Sequence, residues 1–239
     1  MDSLRKTALA AGVTYLITFI SIPTLALYGP VRTDPNYIVG PGPDTPVIFG
    51  GVLEIIVALA CIGTAVLLYP VVKRQNEGVA LGFVGTRVLE AAAIFAGVVS
   101  LLSVVTLRQA GAGADALVTG QTLATLYDRI FLLSGSLMPA LNAFLLGSLL
   151  YQSRLVPRVL PMLGFFGGAL LVASDIGVLF GLIGLVSSLA GLLALPIALW
   201  EFSLGVYLVV KGFKPSPILA SETRADGLNR SSAPAVAAR

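Results

Sequence analysis

The chain has 239 residues, 56% of them hydrophobic and 11% charged, with a net charge of +3, one cysteine and no histidine. A soluble domain carries about 25% charged residues, and a mean hydropathy of +0.94 makes lipid the solvent for most of this surface. The missing histidine excludes His-containing zinc sites, haem-His ligation and Ser-His catalysis, and the lone Cys61 excludes an intrachain disulfide.

A helix needs roughly 20 apolar residues to cross a bilayer, and six stretches qualify. The first, Thr7–Gly29, follows Arg5 and Lys6 as a signal peptide would. Its apolar core of about 20 residues exceeds the 7–15 of a signal h-region, so a retained helix is expected. The next segment, "YGPVRTDPNYIVGPGPDTPV" (Tyr28–Val47), contains five prolines. Proline fixes φ and removes a donor, so neither helix nor regular sheet is expected there. A stiff spacer is the favoured reading and an ordered lid over an outward cavity the other.

The second span is Val47–Tyr69 and the third Val79–Thr106, which holds Arg87 and Glu90. A small, flexible loop, Arg108–Gln121, leads to the fourth span, Leu123–Tyr151, with Asp128 and Arg129 near its start. In this span Pro139 is a kink candidate and Asn142 an interhelical hydrogen-bond donor. The fifth span is Pro161–Gly184 and the sixth Gly191–Val210. Between them Leu185–Ala190 is either a surface turn or a bend inside the membrane. Pro196 is a second kink candidate, and Trp200 and Tyr207 read as packing or interface residues. Residues 1–214 thus form an all-α, six-span bundle, and the Ser-, Ala- and Pro-rich tail 215–239 is expected to be disordered and cytoplasmic.

Lys and Arg near span ends set orientation. With the N-terminus inside, the inner segments hold Arg5, Lys6, Lys73, Arg74, Arg154, Arg158, Lys211 and Lys214, and the outer ones only Arg32 and Arg108. Both termini are therefore expected in the cytoplasm. The basic residues are spread in small groups, so no nucleic-acid partner is expected. Neither a Walker A motif, nor a dinucleotide fingerprint, nor a convincing internal repeat occurs; no cofactor and no metal are expected.

Seven ionisable residues fall within spans: Glu54, Arg87, Glu90, Asp128, Arg129, Asp175 and Glu201. Each costs on the order of 2.5–3.5 kcal/mol at a helix centre facing lipid, so inward positions are expected. A 1.5 Å rise per residue puts Arg87, Glu90 and Glu201 at about 12–16 Å from a span edge, near the midplane. Glu54, Asp128, Arg129 and Asp175 fall roughly 8–10 Å below the outer edge. Arg87 and Glu90 are three apart and share a helix face. One glutamate cannot satisfy five guanidinium N–H groups, which makes Glu201 the natural second partner and a clamp between spans three and six the expectation. Five carboxyls against two guanidiniums leave three negative charges over. Protonation, water or a bound cation must absorb them, with Glu54 and Asp175 lacking an obvious partner. Span five also carries Gly164 and Gly168, then Gly177 and Gly181, each pair four apart. Small-xxx-small spacing lets helices approach closely, within one bundle or at a homo-oligomer seam, the former being favoured.

The segments "DPNYIVG", "GGVLEIIVALACIGTAVLLYPVVKRQNEGVALGFVGTRVLEAA", "LNAFLLGSLLYQSRLVPRVLPMLGFFGG" and "LPIALWEFSLGVYLVVKGFKP" resemble the bacterial membrane family known as domain of unknown function 4386. The resemblance runs from about Arg5 to Pro215 and is specific in combination. Glu54, Arg87, Glu90, Arg154, Pro157, Arg158, Trp200 and Glu201 stand in these segments, whereas "LATLYDRIFLLSGSLMPA" resembles the family less closely. The resemblance implies a multi-span protein of the bacterial inner membrane and carries no activity with it. Three functions stay open: a non-catalytic scaffold, subunit or lipid-interacting protein; a transporter or channel-like protein for protons, a cation or a small solute; and an intramembrane enzyme relying on carboxylates, serine or Cys61. The lipid bilayer is the expected partner, and a proton, small cation or lipid the expected ligand class.

Overall fold

The computed structural model describes residues 3–219. The N-terminal span is α1 (Ser3–Ile17), a 3₁₀ turn over Thr18–Ser21 and, beyond Pro23, the short α2 (Thr24–Leu27). After α3 (Gly29–Thr33) come α4 (Thr45–Val72), α5 (Glu77–Gln109) and α6 (Leu117–Leu132). A π-helical turn over Leu133–Leu137 joins α6 to α7 (Met138–Ser153), and α8 (Val159–Leu179) and α9 (Ser188–Val210) follow. Among the described residues there are no strands, and six helical segments are long and apolar enough to cross a membrane. Apolar side chains such as Phe49, Leu59, Val66, Phe166 and Leu199 are exposed on their outer faces. In water such a surface is a liability; in hydrocarbon it costs nothing.

The spans close into a ring in which α1 packs on α4, α4 on α5, α5 on α7, α7 on α8, α8 on α9 and α9 back on α1. Glycines set the closest approaches. A methyl group on Gly167 would lie 2.5 Å from Ile197 N, so α8 and α9 touch backbone to backbone there. Gly12 of α1 faces the Gly205 carbonyl of α9 in the same way. Where the chain ends of this ring meet, Arg5 donates to the carbonyls of Leu208, at 2.9 Å, and Val209, at 2.5 Å. These are the free carbonyls of the last turn of α9, where a cation also meets the favourable end of the helix dipole. The start of α1 and the end of α9 thus share one side of the bundle.

The structure corrects or refines several expectations. The proline-rich segment is folded: Pro30 sits in the first turn of α3, where its missing N–H is no loss, and Tyr28, Val31, Tyr37 and Ile38 are buried against Leu101, Val104 and Tyr127. The segment is an ordered cap rather than a spacer. The fourth span is not a uniform helix. Pro139 cannot donate to the carbonyl one turn back, and the chain widens into the π turn immediately before it. The fifth span ends at Leu179, not Gly184, and residues 180–187 form an exposed turn between α8 and α9. Gly181, with φ 73°, lies in that turn, where Leu182 N donates to Gly177 O and Gly181 N to Val178 O. This is the Schellman pattern of a helix end, so the Gly177–Gly181 pair terminates a helix instead of joining two. The other pair does pack: Gly164 lies against Trp200 of α9 and Gly168 against Ala140 and Phe144 of α7. Of the tail, Lys214 N donates to Leu155 O and the buried Ser216 hydroxyl to Ser153 O, which orders its start. Residues 220–239 lie outside the described residues.

Candidate functional site

Near the middle of the bundle Arg87 of α5 is fully enclosed. Its Nη1 donates to Glu90 Oε2 at 3.0 Å and its Nη2 to Glu201 Oε1 at 3.1 Å, tying α5 to α9. Nη1 also lies 3.6 Å from Cys61 Sγ. The guanidinium carbon stands 5.0 Å from the centre of the Tyr15 ring and 5.9 Å from that of Phe83, so aromatic faces take up part of the charge. Asn142 of α7 donates to Glu90 Oε2 at 2.7 Å and accepts from the Thr86 hydroxyl at 2.5 Å. The local reason for this knot is helical spacing: Arg87 and Glu90, three apart, share one face of α5, and Thr86 lies beside Arg87 at the edge of that face. Sequence spacing pointed to the Arg87, Glu90 and Glu201 set, and Asn142 acts as the interhelical donor it suggested.

The outer acids do not gather into one cluster. Glu54 of α4 accepts from Tyr127 of α6 at 2.8 Å and from Tyr28 at 3.2 Å. The two phenol rings meet edge to face, 5.3 Å between centres. Above them Arg32 lies 5.7 Å from the Tyr127 ring centre and donates to Asp128 at 2.7 Å. Asp175 of α8 accepts from the Ser136 hydroxyl of the π turn. Three placements differ from those expected. Arg129 is exposed on the flank of α6 and belongs to no buried cluster. Asp128 is only half-buried, and its cation comes from the cap, 96 residues away in sequence. Glu54 does have partners, the tyrosine pair. The buried set is then Glu54, Glu90 and Asp175, with the partly buried Glu201, against Arg87, still a formal excess of three negative charges. Hydroxyl and amide donors, rather than cations, meet it.

A further polar knot pins the cap. Arg108 makes a fork to both carboxylate oxygens of Asp44 and donates to Gly40 O at 2.9 Å. Tyr37 donates to Asp44 at 3.0 Å and Gln109 at 2.9 Å. Asp44 lies outside the spans, and the hydrogen bond from Arg108 holds its carboxyl below the ordinary value of 3.8. Burial, reinforced by the Asp44 contact, pushes the Tyr37 phenol up. Arg32, Arg108, Tyr28, Tyr127 and Ser136 carry no mark in the sequence beyond a loop position or an apolar neighbourhood.

Three cavities accompany these groups. One of about 230 Å³ is lined by Arg32, Asp34, Tyr37, Gln121 and Asp128 beneath the cap. One of about 50 Å³ adjoins Glu54, Ser21, Tyr127 and Ser134. One of about 160 Å³ adjoins Asp175, Ser136 and Ser174. Glu54 and Asp175 therefore line different cavities, and Phe131 and Gly135 contribute to both.

The family model described as "Domain of unknown function (DUF4386)" matches residues 10–212. The chain belongs to this family. No curated protein and no solved structure matches it. The DUF4386 match takes in Glu54, Arg87, Glu90, Asn142, Asp175 and Glu201, together with the π turn and the folded cap. Arg5, which donates to the end of α9, lies before it.

Proposed function

We propose that this DUF4386 protein is a non-catalytic multi-pass protein of the bacterial inner membrane, with both termini in the cytoplasm, serving as a scaffold, subunit or lipid-interacting component. The observation that carries this reading is the enclosure of Arg87 between Tyr15, Phe83, Glu90 and Glu201. Every partner sits on a helix of the ring, and Asn142 fixes Glu90 from a fourth helix, α7. A guanidinium held this way ties helices together and has no room to act on a substrate. The orientation rests on the basic residues gathered at the side where α1 begins and α9 ends.

A second reading is a transporter for protons, a cation or a small solute. It is favoured by Glu54 and Asp175 lining cavities on either flank of one π turn, since such turns recur at functional sites. Flux measurements separate the two. In vesicles carrying an internal pH dye or a sodium dye, with an imposed potential, the first reading expects the protein to conduct no faster than empty vesicles. Flux above that background that is lost in Glu54→Gln or Asp175→Asn overturns it in favour of transport.

A further inference from the structure

The 160 Å³ cavity lies between the π turn, α8 and the start of α9. Its walls are Leu25, Phe131, Leu171, Val178 and Ala194, and none of the residues lining it is basic. At its polar end stands Asp175, 94% buried (6% exposed). Oδ1 accepts from Ser136, whereas Oδ2 is enclosed with no hydrogen-bond partner among the described residues. A buried carboxylate is costly unless something compensates its charge. Here one hydroxyl does so in part. Ser136 belongs to the π turn, so the backbone irregularity and the acid meet at one site.

We propose that this cavity binds a lipophilic ammonium: a small apolar body, about the size of one aromatic ring, carrying a protonated amine that meets Asp175. Size sets the body, because an apolar cavity of about 150 Å³ accommodates benzene. Chemistry sets the head group. Apart from Ser136, Ser174 and Ser187 the rest of the lining is apolar or glycine and carries no second charge, and the single acid accepts from a cationic N–H donor with a charge-assisted bond. The terminal torsion of an aspartate is soft, so the carboxylate turns Oδ2 towards the cavity at little cost. An anionic or zwitterionic ligand would lack a cation to receive its negative group. This site goes beyond the clamp reading and does not depend on it.

Phenethylamine and phenethyl alcohol are near-isosteric and differ in charge near neutral pH. Thermal unfolding of the purified full chain in detergent, titrated with each, tests the site. Phenethylamine should raise the unfolding midpoint of the parent and the alcohol should not. Asp175→Asn, close in shape, should weaken the amine by more than about tenfold. Ala190→Phe, which fills the cavity from α9 and leaves the Asp175 side chain in the protein, should abolish the shift and serves if Asp175→Asn does not fold. Equal shifts from amine and alcohol, an undiminished amine shift in either variant, or no shift of the parent at millimolar amine would overturn the proposal. So would stabilisation by sodium chloride over N-methylglucamine chloride that disappears in Asp175→Asn, because the acid would then be an inorganic-cation site.

Discussion

The hydroxyl of Tyr127 on α6 donates to Glu54 on α4 at 2.8 Å, and Tyr28 at the edge of the cap adds a second, longer bond at 3.2 Å. A carboxyl placed in the apolar part of a span is thereby supplied from two other parts of the fold. The outer cap and the helix ring are coupled through it, because Tyr28, Tyr127 and the cap residues Val31 and Ile38 form one buried cluster.

Removing the Tyr127 hydroxyl leaves Glu54 short of its better donor. Tyr127→Phe should cost about 1.5–3 kcal/mol, the range for hydrogen bonds to charged groups, and Tyr28→Phe less. Unfolding in detergent followed by circular dichroism gives the order directly. If Tyr28→Phe is the more damaging, the shorter bond is not the main support of Glu54.

Arg87→Ala strands two carboxylates in the bundle and should cost about 3–5 kcal/mol. Arg87→Ala combined with Glu90→Gln and Glu201→Gln should recover part of that, since the uncompensated charges go with the cation. Unfolding midpoints of the parent, single and triple variants test the clamp. A triple variant no more stable than Arg87→Ala would show that packing on Tyr15 and Phe83, not charge, holds the helices.

The glycines separate by sign. A methyl at Gly167 meets the backbone of Ile197 at 2.5 Å, and overpacking of this kind costs about 1–3 kcal/mol. Gly181→Ala forces a side chain into the left-handed region at φ 73°, at about 1–2 kcal/mol. Gly191, inside α9 with open space around it, should tolerate alanine and gain up to about 1 kcal/mol of helix stability. Melting curves of the three variants check the order, and destabilisation by Gly191→Ala would show an unseen contact on that face.

Acid should release the cap. Asp44 has a folded value below its ordinary 3.8, first because of the Arg108 hydrogen bond. A depressed acid contributes its stabilisation fully above the ordinary value, and loses it as pH falls from there through the lower folded value. Protease nicking in the exposed stretch Thr33–Asn36 should therefore rise below about pH 4 and stay low above it. In Asp44→Asn nicking should be raised at neutral pH and nearly flat through the acid range. An unchanged acid profile in that variant would assign the transition to another group.

Orientation is testable by labelling. Cys61 is buried, so the parent should react poorly with an impermeant maleimide. Asn36→Cys and Ala114→Cys should label in intact cells, and Gln75→Cys only after permeabilisation. Labelling of Gln75→Cys from outside reverses the topology.

The amino-acid sequence by itself determined the number of spans, the all-helical class and the central ion-pair set. Apolar length is a sum over neighbouring residues, and Arg87 and Glu90 share a face through helix geometry alone. What it left open is what depends on the rotation and neighbours of whole helices. Asp128 and Arg129 are adjacent, yet one turns to Arg32 and the other outward, because residues about 100° apart on a helix meet different surroundings. Glu54 meets Tyr127 through the packing of α6 and Tyr28 through the folded proline-rich segment, neither of them near it in sequence. Gly164 and Gly181 look alike in a spacing pattern, and tertiary structure made one a packing surface and the other a turn. Hydrophobic burial is non-directional and accumulates locally, so spans are legible residue by residue. A hydrogen bond needs its partner within about 3 Å, and only the packed fold decides which partner arrives.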